Sequence, residues 1–133
     1  MKEQWRLGQL IDALEKRKRD EETGAPQRVV FDFCGVAPVG CHSYRGFYDH
    51  LALDPAEVSL TSPAVPTVDS VLAMLRNALK DEFCGWKGGN YRMRRETPLW
   101  VDQRGEANGT AIVGIADCDW LTIIETKWME FAG

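Results

Sequence analysis

No apolar run in this sequence approaches the roughly 20 residues that a membrane-spanning helix needs. Residues 1–19 are charged and lack the apolar centre of a secretory signal, so a cytoplasmic protein is expected. Histidine occurs only twice and cysteine four times, as Cys34, Cys41, Cys84 and Cys118. No Cys-x-x-Cys pair exists and no histidine follows at finger spacing, which argues against a zinc finger. A basic excess is missing as well: 20 acids stand against 16 bases, for a net charge of −4. Phosphate neutralisation usually shows as a basic bias, so stable binding to a nucleic-acid duplex is not expected. Internal repeats and low-complexity tracts are also lacking, and residues 1–133 read as a single domain.

What is present suits an α+β fold with one core. Leu7, Leu10, Ile11 and Leu14 repeat at helical spacing and predict a helix over 3–19. Thr23-Gly24-Ala25-Pro26 stops it. Arg28 to Phe33 alternates as a strand, with Val29, Phe31 and Phe33 on one side. Cys34 to Pro66, with four prolines and three glycines, reads as a long irregular stretch with one short element over Arg45–Leu51. Thr67 is a suitable N-cap for a second helix whose apolar face is Val68, Val71, Leu72, Leu75 and Leu79, ending near Asp81. From Gly85 onward strands and turns alternate: Tyr91–Arg95, Leu99–Gln103, Ala111–Ala116 and Leu121–Phe131. The expectation is an antiparallel sheet of four to five strands with two helices packed on one face.

Chemistry concentrates in two stretches. Cys41 to His50 carries His42, Ser43, Tyr44, Arg45, Gly46, Tyr48, Asp49 and His50. Adjacency of His42 and Ser43 does not make a triad, and no nucleophile-elbow pattern surrounds Ser43. A metal reading would require His42, His50 and a third ligand such as Asp49, on a segment whose spacing fixes nothing. Binding suits the composition better. Tyr44 and Tyr48 offer flat faces with polar tips, Arg45 a planar fork, and Gly46 room for close approach. The competing account is a set of polar residues that organise a long loop.

Phe83 to Arg95 is the second stretch. Gly85, Gly88 and Gly89 bound Trp86 and Lys87, and Arg92, Arg94 and Arg95 follow. Such a turn can aim backbone N–H groups at an anion, although no Lys-Ser or Lys-Thr of a P-loop follows. On a strand Arg92 and Arg94 would share a face. A plain hairpin with Trp86 in the core is the competing account. The nominated ligand-binding residues are therefore His42, Tyr44, Arg45, Tyr48, Trp86, Lys87, Arg92 and Arg94. No catalytic residue, metal or cofactor is nominated. Trp100, Trp120 and Trp128 read as core or interface.

These residues also carry a resemblance. Phe31-Asp32-Phe33, His42-Ser43-Tyr44-Arg45-Gly46, Leu51-Ala52-Leu53, Thr67-Val68, Gly85-Trp86-Lys87-Gly88-Gly89 and Thr97-Pro98-Leu99-Trp100-Val101 occur in that order. The set, over most of the chain, resembles a family of small phage and prophage proteins. It is similar to the Thoeris anti-defence sponges of the first type. The resemblance implies a non-enzymatic protein of the host cytoplasm that assembles into homo-oligomers. It would sequester a cyclic ADP-ribose-like signal or a CBASS-type cyclic oligonucleotide. Other classes stay open: an anti-CRISPR-like inhibitor that binds a host protein through its acidic surface, or a small hydrolase using His42 or His50.

Overall fold

The computed structural model describes residues 3–20, 27–33, 35–43, 50–59, 62–80, 82–84, 90–102, 109–118 and 121–129. Helix α1 runs from Leu7 to Asp20, and Leu7, Leu10, Ile11 and Leu14 are buried along one stripe. The residues before it do not continue the helix. Trp5 exchanges backbone bonds with Ile112 and Leu99, and Arg6 bridges Pro98. The Gln9 amide oxygen accepts the Arg6 N–H at 2.8 Å, satisfying a donor at the helix start. Arg17, Lys18 and Arg19 end the helix, where cations complement the dipole.

Strand β1 spans Arg28–Phe31, β2 Val36–Ser43 and β3 Leu51–Glu57. Helix α2 spans Val68–Lys80, followed by β4 (Glu82–Cys84), β5 (Asn90–Arg92), β6 (Leu99–Val101), β7 (Gly109–Cys118) and β8 (Leu121–Met129). Thr67 caps α2: its Oγ1 accepts the Ser70 N–H at 3.1 Å, and Ser70 Oγ accepts the Thr67 N–H at 2.9 Å. That reciprocal pair is a capping box with serine as the returning acceptor.

The α+β class is as expected, but the sheet is larger and mixed. Six strands lie in the order β1-β8-β7-β6-β3-β2, with β1–β8 and β3–β6 parallel and the remaining pairs antiparallel. β4 and β5 form a separate two-stranded antiparallel ladder. The main correction falls on 34–66, which holds two full strands in place of an irregular stretch. The prolines there are compatible with a ladder because of where they stand. Pro38 lies opposite Pro55, so both missing donors fall at one rung. Pro38 is on the edge strand, and Pro55 lies beyond Leu53, the last residue that β3 pairs with β6.

One sheet face packs under both helices. Val29 and Phe31, Leu51 and Leu53, Leu99 and Val101, Ile112 and Ile124 meet the apolar stripes of α1 and α2 there. The opposite face, free of helices among the described residues, buries Ala52, Trp100, Ala111 and Val113. A third cluster joins Val30, Ala37 and Val65. β1 and β2, at opposite ends of the strand order, both contribute to that cluster, so the sheet is strongly curved. The strand order positions polar groups on the helix-free face. Ala52 pairs with Trp100, so Asp54 and Asp102, two residues further on, lie on that face too. No described helix is long and apolar enough to cross a membrane.

Candidate functional site

A groove of about 610 Å³ lies between the segment before α1 and strands β7 and β8, lined by Gln4, Trp5, Arg6, Gln9, Gly114 and Glu125, among others. Its wall is shaped by a β-bulge, because the β7–β8 register shifts between Ile112 and Gly114. Gly114 lets the Glu125 carboxylate lie close to the backbone there: a Cβ would stand 2.7 Å from Glu125 Oε1, which would have to move aside. Trp5 packs part of its ring on the core and turns the remainder to the groove. Beyond Arg6 a smaller cleft of about 190 Å³ continues, lined by Arg6, Arg94, Glu96, Thr97 and Pro98. Arg6 thus lines both spaces. Its Nη1 donates to the Glu96 carbonyl at 2.6 Å, which holds the guanidinium across the mouth of the cleft.

Arg92, Arg94 and Arg95, grouped in the sequence, separate in the structure. Strand β5 ends at Arg92, so Arg92 and Arg94 are not two positions of one strand face, as expected from the sequence, although both are exposed. The Arg94 backbone N–H donates to Thr97 Oγ1 at 2.9 Å, and its guanidinium bonds no described residue. Arg95 is structural. Its guanidinium lies over Gly8, donates to the Gly8 carbonyl at 3.3 Å and pairs with Asp12 at 2.6 Å. Arg6, absent from the nominated residues, belongs to the groove because its backbone bridges Pro98. No sequence pattern near Arg6 announces that.

His42 lies on a different face. Its Nδ1 is 2.6 Å from Asp54 Oδ1 and its Nε2 is 3.4 Å from Asp102 Oδ1. All three side chains are part-exposed. Gly40 makes room for this contact, because a Cβ there would stand 2.9 Å from Asp54 Oδ2. The partners that a metal reading would have required for His42, namely His50 and Asp49, are not the ones the described strands supply. His50 Nδ1 accepts the Trp100 indole N–H at 2.9 Å, and Asp49 is outside the described residues. Trp100 is buried to 2% exposure, as its core reading anticipated. Trp128, by contrast, is 66% exposed on β8. Asp117 pairs with Arg17 at 2.9 Å from within β7.

Tyr44, Arg45, Tyr48, Trp86 and Lys87 lie outside the described residues, as does Trp120. The β4–β5 ladder nonetheless brackets 85–89, since Cys84 pairs with Asn90. The groove, the cleft and the His42 cluster could each be reached by a ligand, and their donor sets differ. Arg6 and Arg94 suit an anion, whereas His42, Asp54 and Asp102 suit a cation. Comparison with family models, curated proteins and solved structures finds no match to this chain.

Proposed function

We propose that this protein binds a cyclic nucleotide signal, of the cyclic ADP-ribose or cyclic oligonucleotide kind, and sequesters it without cleaving it. The observation that carries this reading is the join at Arg6 between the groove and the cleft, with Trp5 on one side and, on the other, Arg94, whose guanidinium bonds no described residue. A groove of about 610 Å³ falls in the size range of small-molecule sites. Trp5 supplies a surface for a base, and stacking on such a ring is worth about 1–3 kcal/mol. Two guanidinium groups at the cleft supply bidentate donors for a phosphate. Gln4, Gln9 and Glu125 make part of the groove lining polar, and the Gln9 amide N–H₂ and the Gln4 amide oxygen remain as groups that suit a ribose or a base edge. The motif resemblance and the glycine-bounded 85–89 segment between β4 and β5 support the same ligand class.

The test is calorimetric titration with a panel of cyclic nucleotides. The complex is then heat-denatured and the released ligand examined by chromatography. Unmodified ligand is expected. A hydrolysed product would replace sequestration with the hydrolase reading, and no heat with any cyclic nucleotide would remove the proposal. The exposed indole of Trp128 favours a second element of the reading, assembly with further copies of the chain.

A further inference from the structure

We propose that His42 and Asp102 form a binding site for a divalent transition-metal ion, with Asp54 as the residue that orients the imidazole. The site is separate from the groove that carries the nucleotide reading. It lies on the helix-free face of the sheet and is built by three adjacent strands. His42 stands on β2, Asp54 on β3, and Asp102 directly follows β6.

The two contacts of the imidazole differ in kind. Nδ1 and Asp54 Oδ1, at 2.6 Å, form a short charge-assisted hydrogen bond in which Nδ1–H donates. With Nδ1–H engaged in that bond, a neutral imidazole keeps its lone pair on Nε2, the nitrogen near Asp102. Nε2 and Asp102 Oδ1 stand 3.4 Å apart, longer than the usual N–H···O range of about 2.7–3.2 Å. A lone pair and a carboxylate oxygen facing each other at this distance favour a cation between them. Two ligand atoms about 2.1 Å from a tetrahedral ion stand about 3.4 Å apart, so the observed gap is the edge of such a polyhedron. The carboxylate–histidine–metal relay is the usual means of aligning a ligating imidazole. One ligand atom from each of the three residues lies within 4.8 Å of the others, so the orienting carboxylate and the two ligands are close neighbours. Part-exposed side chains leave room for water to complete the shell. A nitrogen and a carboxylate oxygen select an ion such as Zn²⁺ or Co²⁺ over Mg²⁺ or Ca²⁺. Cys41, next in sequence to His42, packs toward the helix-side core and is not a ligand.

The test uses Co²⁺ as the probe on the full chain. Calorimetry is expected to give one ion per chain and a higher thermal midpoint in its presence. Its absorption spectrum should lack the thiolate charge-transfer band that binding at a cysteine would produce. H42Q and D102N should each lose this binding, and D54N should weaken it about 10–100-fold while keeping one ion per chain. D102N preserves shape and keeps the test available if H42Q fails to fold by circular dichroism. Absence of Co²⁺ binding to the unsubstituted chain overturns the proposal, as does a thiolate spectrum or unchanged affinity in folded D102N.

Discussion

Arg94 and Arg95 are sequence neighbours with different tasks. Arg95 is held over Gly8 and paired with Asp12, whereas the Arg94 guanidinium faces a cleft with no described partner. Replacing Arg94 with glutamine should therefore lower cyclic-nucleotide affinity by about tenfold or more. Each charged hydrogen bond contributes about 1.5–3 kcal/mol, and about 1.4 kcal/mol is tenfold. The unfolding midpoint should move little, and calorimetric titration beside a thermal melt reads both quantities. Arg95→Gln should leave affinity unchanged and cost at most about 1 kcal/mol, because its ion pair is half-exposed. Trp100→Phe keeps a ring in the buried site but removes the donor to His50. A loss of about 1 kcal/mol in denaturant unfolding is expected, and a cost near zero would mean that the bond contributes nothing net.

At the scale of elements, the cap of α2 is the clearest test. Thr67→Ala removes the acceptor for the Ser70 N–H and should cost about 1 kcal/mol. Chemical denaturation measures it directly. Both helices were legible in the sequence because their apolar positions repeat at helical spacing and Thr67 marks a start. β1, β7 and β8 were legible because Val29/Phe31 and Thr122/Ile124 alternate. β2 and β3 were not. Their signals were masked by Pro38, Gly40 and Pro55, which normally interrupt strands and are tolerated here at an edge, at a bulge and past the end of a partner. Missing those strands also hid the His42 cluster. Asp54 and Asp102 are visible in the sequence, but only the lateral order β2-β3-β6 brings them to one imidazole. The parallel pairs are illegible for a similar reason, since alternation reports a strand's two faces and not its neighbours or their direction.

For the whole molecule, the outward-facing Trp128 bears on assembly. A single exposed indole is ordinary, but this one sits near the end of β8 in a chain proposed to work as a homo-oligomer. Light scattering at micromolar concentration should give a multiple of 15.0 kDa, and Trp128→Glu should shift it toward one chain. A mass of 15.0 kDa for the unsubstituted protein would end the oligomer proposal.

The pairing of β1 with β8 has a consequence in time as well as in space. Asp32 takes two hydrogen bonds from Thr126, 94 positions further along the chain, at 2.7 and 2.5 Å. The start of α1 likewise takes its outside partners from Arg95, Thr97 and Ile112. On the ribosome, then, the first strand has no strand to pair with until β8 has emerged. The loop to be closed spans 94 positions, and its entropy must be met before the contact returns anything. Folding should be late and cooperative, on the millisecond-to-second scale of non-local topologies. A chain stopped before Leu121 lacks β8 altogether and should remain sensitive to protease throughout its length.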